Sequence, residues 1–518
     1  MNTDDYDVIV IGGGPGGSTA ATFVAKAGYR VLLLEKEYFP RYQIGESLLP
    51  ATIQGICSLL GVKEEIESAG FTPKRGGTFV WGKNREPWSF RFEKATNGVI
   101  PKAGALQVER SRFDDILLKN SRKNGVEVKE GVLVKEIIEE NSRYAGVKYK
   151  DNSGETITAT SRYIVDASGA KTNFHRCVGE RVYSKFFNNV AIFGYFKGGK
   201  RLPAPHEGDT FSAAFEQGWI WHIPLTEELT SIGVVVDKET AKQIDDIDCA
   251  YEGFINACPA IKELLEPAQR MTDETYGKLR VLKDFSYNNT RFFHKDMILI
   301  GDAACFIDPV FSSGVHLSTY AGLLAARSIN TALKGTIDKE RCFIEFELRY
   351  RKEFGNFYNF LMAFYDVGQG QEDYFWAARK ILNTEEKSNE AFARLITGFS
   401  TEGIGKAAST EEYFTLREGF GAVFKEHIIN EAKSGISAQT PNQKTVHSTG
   451  IDMDQFMKGF TQEIVDLQLQ AKLQQLGLSS DLLPASSAAI TVSGDFLHWE
   501  NRGVTNKSKD KKNGRELA

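Results

Sequence analysis

The chain has 518 residues, 42% hydrophobic and 25% charged, with 63 basic against 68 acidic side chains and a net charge of −5. That length implies more than one domain, and the balanced charge gives no electrostatic case for nucleic acid or an anionic membrane as partner. Six scattered cysteines without a CxxC pair, an acidic start (MNTDDYD) and the lack of any long apolar run point to a reduced, cytoplasmic chain, with no disulfide framework, metal site, signal peptide or membrane span expected.

Residues 5–37 read as strand, glycine-rich turn, helix and strand. Val8–Ile11 and Val31–Leu34 are short apolar runs, and Ala20, Ala21, Phe23, Val24 and Ala27 mark a buried helix between them. Two such strands around one helix predict a parallel βαβ unit. Gly12, Gly14 and Gly17 form G-x-G-x-x-G between strand and helix. That spacing lets backbone N–H groups approach a diphosphate at the helix N-terminus. Glu35 ends the second strand, where a carboxylate accepts ribose hydroxyls and disfavours a 2′-phosphate.

At about 76–100 and 185–280 the pattern changes. Alternating runs such as VAIFGYF and LTSIGVVV predict an antiparallel sheet inserted between pieces of the first domain. Within it, WIWHIP (219–224) would place Trp219, Trp221 and Ile223 on one face of a strand and Ile220 and His222 on the other. MILIGDAACF (297–306) returns to a buried strand, turn and helix.

Beyond 335 the chain reads as mainly helical. Phe343, Phe346, Tyr350, Phe354, Phe357, Leu361 and Phe364 recur at spacings of three and four, a core-facing stripe. The run 360–376 breaks at Gly368 and Gly370, which suggests an irregular flap beside an open substrate face. GIGKAA (403–408) lacks a preceding strand and a final glycine, so it is not read as a nicotinamide site; 452–476 suits another amphipathic helix. The expected division is an α/β domain over 1–335, a mainly helical domain over 336–502 and a disordered, Lys-rich tail over 503–518.

GDA (301–303) after a buried strand, DASG (166–169) and QVERSRFD (107–114) together resemble the FAD-binding fold of single-component flavoprotein hydroxylases. The resemblance implies FAD, with Asp302 on the ribityl or phosphate side of the flavin. It also implies Gln107 and Arg110 against the flavin, Arg41 near the diphosphate and Ser47 among the cofactor contacts.

Two further runs are more specific. Trp219, Trp221, Ile223 and Pro224 match W-x-W-x-I-P, and Phe306, Pro309, Ser312 and Gly314 match F-x-x-P-x-x-S-x-G. Both resemble signatures of flavin-dependent halogenases, GES (45–47) agrees with them, and the resemblance spans most of residues 5–365. It implies reduced FAD from a separate reductase, dioxygen, and chloride or bromide that attacks a flavin hydroperoxide to give hypohalous acid. Trp219, Trp221, Ile223, Pro224 and Phe311 would wall the flavin from the substrate. Ser313 and Gly314 would offer backbone N–H groups to the halide. Lys74 in FTPKRGGTF would receive the hypohalous acid, as a chloramine or by hydrogen bonding, with Arg75 pointing elsewhere.

Tryptophan-specific members carry a glutamate between the Pro and Ser of the second signature, where this chain has Phe311. An indole needs that base, whereas a phenol is activated by its own oxygen. KRGGTF and PVFSSG look like the phenol branch, which implies chlorination ortho to a hydroxyl, on a tyrosyl group of a carrier-bound or peptidyl precursor. The sequence does not identify the phenol's base; His222 and His316 are candidates, although a lone histidine is more often structural. Two alternatives stay open: a flavin monooxygenase or prenyl-chain reductase on the same scaffold, and a non-catalytic FAD-binding partner in a biosynthetic complex.

Overall fold

Val8–Ile11, four apolar residues in a row, are buried at the centre of a parallel sheet, as a strand covered on both faces must be. In this computed structural model, which describes residues 4–95, 104–273, 275–283, 285–382, 387–398 and 490–501, the strand order runs Phe293–His294, Met297–Leu299, Thr156–Asp166, Tyr6–Ile11, Val31–Leu34, Glu127–Lys129. Val8 pairs with Val31 and Ile164 with Met297 in parallel register, and the first pair of strands in that order is antiparallel. The helix Pro15–Lys26 packs against the helix Ser313–Lys334, with Asn330 Nδ2 donating to Phe23 O at 3.2 Å. The expectations at 403–408, 452–476 and 503–518 lie outside the described residues.

The inserted sheet is present. Its order is Gln269–Arg270, Asn189–Lys197, Leu229–Asp237, Gly218–Pro224, Thr210–Phe215, Gly76–Val80, Pro87–Arg91, with Arg280–Lys283 also on Asn189–Lys197. The expected antiparallel pattern holds except for Thr210–Phe215 and Gly76–Val80, which run parallel. These two strands come from sequence segments over a hundred residues apart, so no hairpin dictates their direction.

The strand Gly218–Pro224 is buried on both faces, and the period of two divides it as the sequence pattern requires. Trp219, Trp221 and Ile223 join the main core with Phe193 and Phe79; Ile220 joins a second core with Tyr251, Phe254 and Ile261 from the helices Ile247–Ala257 and Pro259–Leu265. The sheet thus separates two hydrophobic clusters. The aromatic stripe of the helix Lys339–Phe364 is buried in the main core, which it shares with the parallel sheet.

Gly233 is the residue opposite Trp221 on the neighbouring strand, and a Cβ there would lie 2.0 Å from the indole. The missing side chain is what lets the ring lie flat across the sheet. Gly233→Val should therefore destabilise the fold by about 1–3 kcal/mol through overpacking, read as a lower urea midpoint with an unchanged slope.

Candidate functional site

The glycine-rich turn is shaped by close backbone approach. Gly12 has φ +103°, and a Cβ on it would stand 2.4 Å from Ala167 O; one on Gly17 would stand 1.9 Å from Gly12 O. Gly14 caps the helix with no side-chain hydrogen bond and faces the Arg41 guanidinium. The first-turn N–H groups are thus left for a ligand. Glu35 Oε2 accepts from Gly13 N at 2.6 Å. Asp114 bridges two guanidiniums, Arg41 Nη1 at 2.9 Å and Arg110 Nε at 2.7 Å, and Arg110 Nη1 donates to Ile44 O at 2.5 Å. This fixes the segment carrying Glu46 and Ser47 over the turn. Burial pushes Asp302 up to about 6, opposed by Arg110 and Arg181. Gln107 donates to Gly208 O and Thr210 Oγ1 at 3.1 and 2.9 Å, while its buried Oε1 has no partner. An uncapped helix start, an acid at the second strand and an unpartnered amide oxygen fit FAD. Gly12–Gly17 would hold the diphosphate, Glu35 the ribose and Asp302 the ribityl chain.

Lys74 lies at the meeting point of three segments. Its Nζ donates to Ser47 Oγ at 2.8 Å, Leu48 O at 3.0 Å and Ser312 Oγ at 3.3 Å. The side chain is buried while the adjacent Arg75 is exposed, as alternation on an extended segment demands. Burial pushes the Lys74 ammonium down to about 7, with Asp209 opposing the shift. Phe311, Phe79, Phe92 and Thr210 complete a cavity of about 20 Å³ around it, with no carboxylate in its lining. That is room for a water-sized molecule.

Ser312 adopts a left-handed conformation, φ 58°, and caps the 22-residue helix beginning at Ser313 without a side-chain hydrogen bond. The N–H groups of Ser313 and Gly314 belong to that uncapped first turn, where the helix dipole favours an anion. Ser312 thus joins the Lys74 ammonium to the anion-favouring end of a helix.

An aromatic series connects this cavity to the tryptophan strand. Phe311 meets Phe364 at 4.7 Å, Phe364 stacks on Trp81 at 4.7 Å, and Trp81 meets Trp219 at 6.0 Å between ring centroids. Trp219 Nε1 donates to Tyr365 Oη at 2.7 Å, and Tyr365 donates to Asp308 Oδ2 at 2.7 Å. Asp308 Oδ1 in turn caps the Pro309–Phe311 turn through Val310 N. Trp221 Nε1 reaches Ser231 Oγ at 3.3 Å. Tyr365 and Asp308 were not singled out from the sequence. Asp308 carries a signal, an N-capping Asp directly before Pro309; Tyr365 carries none, since its partners are far away in the chain.

The two histidines are placed elsewhere. His222 faces the second core, both ring nitrogens lack partners, and burial pushes it down to about 4. His316 Nε2 sits 2.8 Å from Glu353 Oε1, with both side chains fully buried. Neither lines the Lys74 cavity. The expected irregular break at 360–376 falls in an exposed turn, residues 366–369, between the helices Lys339–Phe364 and Gln371–Leu382. Asp366 Oδ1 accepts from Gly368 N, Lys83 N donates to Gln369 O, and Tyr374 and Phe375 pack against Trp88. Phe392 then closes on Phe90 and Trp88 at 5.3 and 6.0 Å. The glycines mark a solvent-exposed turn tied to Lys83 by a backbone hydrogen bond, while the helix that follows packs on Trp88.

The family described as tryptophan halogenase matches residues 7–103 and 94–441. The chain belongs to the flavin-dependent halogenases. The halogenase is 33% identical over 404 residues to the tryptophan 2-halogenase of Chondromyces crocatus, covering 76% of this chain and 75% of that one. It is 31% identical to the 1H-pyrrole-2-carbonyl-[peptidyl-carrier protein] chlorinase of Pseudomonas fluorescens, over 70% of this chain and 84% of that one. Among solved structures it is similar to the myxobacterial chondrochloren halogenase CndH, described as a new variant of FAD-dependent halogenases. The identity there is 49%, covering 96% of this chain and 99% of that one, with a TM-score of 0.72. The enzyme uses FAD and halide. Bound reduced FAD, with dioxygen and halide, supplies the oxidised halogen.

Two outcomes test the geometry. Tyr365→Phe leaves Trp219 Nε1 and buried Asp308 Oδ2 short of a partner, so it should cost roughly 1–3 kcal/mol of stability, seen in denaturant unfolding followed by tryptophan fluorescence. Lys74 loses its proton at about pH 7 in the fold and at 10.5 when exposed. Between those values the unfolded chain binds the extra proton, so this group's contribution to stability rises with pH. The stability of wild type relative to Lys74→Met should therefore grow from pH 7 to about pH 9.5, measured from denaturant midpoints at the two pH values.

Proposed function

We propose that the halogenase chlorinates or brominates an electron-rich phenol ortho to its hydroxyl, on a tyrosyl group of a carrier-bound or peptidyl precursor. The observation that carries the reading is Phe311. It stands in the halide turn, and the Lys74 cavity has no carboxylate to take the proton leaving an aromatic ring. A phenol supplies that activation itself and an indole does not. The relative acting on a carrier-bound pyrrole supports tethered delivery. Reduced FAD comes from a separate reductase.

Each group then has one task. The first-turn N–H groups of Ser313 and Gly314 hold the halide, without a competing proton. Trp219 and Trp221, with Ile223 and Pro224, keep the organic substrate from the flavin. Lys74 receives hypohalous acid in a space that admits a water-sized molecule. As an ammonium it donates to the hypohalous oxygen; as an amine it takes the halogen from the hypohalous acid, breaking the oxygen–halogen bond and an N–H bond and releasing water. Asp209, which opposes the loss of the proton, sets the balance between the two. The phenolic ring is presented to Lys74 from the side of Phe90, Phe92 and Phe311.

Mass spectrometry after incubation with FAD, a flavin reductase, NADH and halide tests the reading. A tyrosyl carrier or peptide substrate should gain halogen ortho to the hydroxyl, free tyrosine should be a poor substrate, and tryptophan should be unchanged. Lys74→Ala should still bind FAD and consume dioxygen with less than a few per cent, roughly a hundredth, of the product. Equal halogenation of tryptophan would refute the phenol reading.

A further inference from the structure

A basic cavity of about 700 Å³ lies apart from the Lys74 site, walled by residues 170–183 with Arg291 and His294. Its size suits a small molecule. The walls carry Lys171, Arg176, Arg181 and Arg291 against a single carboxylate, Glu180. Lys171, Arg176 and Arg291 are exposed, and none of the three forms an ion pair with a described carboxylate. Arg181 Nη1 donates to Ala170 O at 2.9 Å and its guanidinium stands 4.1 Å over the Tyr287 ring, while its buried Nε has no partner. His175 and His294 also line the cavity. Burial lowers both, and neighbouring cations lower them further: Arg181 and Arg176 at His175, Lys295 and Arg291 at His294. In a chain of net charge −5 this is a local excess of positive charge, offset in part at Arg181 by the buried Asp166 and Asp302.

The cavity adjoins the dinucleotide turn. Its wall begins at Ala170, two residues after Ser168, which with Ala167 forms the backbone on which Gly12 packs. Tyr287, beneath Arg181, donates to Asp302 O at 2.5 Å. No residue of the Lys74 cavity is shared with it. An anion entering here would therefore be one step from the FAD site and away from the halide and the phenol.

We propose that this cavity captures the diphosphate of a dinucleotide, and that reduced FAD is the ligand, held on its way to the Gly12–Gly17 turn. The diphosphate carries two negative charges, and four cations in a cleft raise its local concentration and encounter rate. The inference does not depend on the identity of the aromatic substrate. A nicotinamide dinucleotide carries the same diphosphate, and the test separates the two.

Anaerobic stopped-flow mixing of dithionite-reduced FAD with the full chain, followed by flavin absorbance, reads the association rate, with oxidised FAD run in parallel by quenching of its fluorescence. The Lys171→Ala/Arg176→Ala/Arg291→Ala variant should associate about tenfold more slowly at low salt and match wild type at high salt, with dissociation unchanged. Arg181 is left in place because it braces Tyr287. Arg176→Lys/Arg291→Lys should restore the wild-type rate, since a point charge suffices for capture, and inorganic diphosphate should slow wild type but not the alanine variant. If FAD association is unaffected but NADH bleaches the flavin of the FAD-loaded wild type and not of the variant, the cavity serves a nicotinamide dinucleotide and the proposal for reduced FAD is overturned. Equal FAD association at every salt concentration, with no effect of diphosphate and no difference toward NADH, overturns the proposal.

Discussion

A lysine ammonium withdrawn from water must find acceptors in fixed positions, and most of this site follows from how Lys74 finds them. Its partners belong to two segments that nothing else in the sequence connects: the stretch at Ser47 and Leu48, and the helix cap at Ser312. Satisfying one cation therefore positions the segment over the dinucleotide turn and the anion-favouring end of a 22-residue helix around a single small space. The same burial that requires these bonds brings the group close to neutrality at physiological pH. In the role proposed for it, first holding and then releasing an electrophilic halogen, the nitrogen would benefit from being poised between its two protonation states.

The second constraint is that the tryptophan strand has no solvent face. One side belongs to the main core and the other to the core under the helices Ile247–Ala257 and Pro259–Leu265. Neither indole can turn aside without opening a void in a close-packed interior. The rings are also pinned at their polar edges, Trp219 by Tyr365 and Trp221 by Ser231. The barrier proposed for these rings would have to be stiff, and packing on two sides plus a hydrogen bond at each ring supplies stiffness.

What was legible in the sequence was local or periodic. The glycine spacing, the strand alternation through Trp219, Trp221 and Ile223, and the stripe from Phe343 to Phe364 all depend on neighbours within a turn or a strand. What was not legible depends on contacts between remote segments. Gly368 and Gly370 read as a break in the helix, but the bond from Lys83 N to Gln369 O and the seat of Tyr374 on Trp88 depend on a segment far earlier in the chain. His316 looks like a candidate base until Glu353 appears beside it on the next helix. The parallel pairing of Thr210–Phe215 with Gly76–Val80 has no sequence pattern of its own, because either direction buries the same alternating residues. Lys74 is an intermediate case. Motif position picked it out, but nothing in FTPKRGGTF announces that this lysine rather than Arg75 is the buried one, apart from the parity of an extended chain.

Tyr365 sits at the end of the helix Lys339–Phe364, in the part of the chain that the sequence pattern separates from the flavin-binding portion. Yet its hydroxyl is the link between the indole of Trp219 and the carboxylate of Asp308. The dividing line drawn by composition therefore does not divide the working parts. Exchanging the C-terminal helices with those of a related enzyme to broaden substrate range would also exchange the peg that holds the Trp219 indole, the proposed barrier. A chimera keeps a stiff wall only if its incoming helix brings a hydroxyl to the same place.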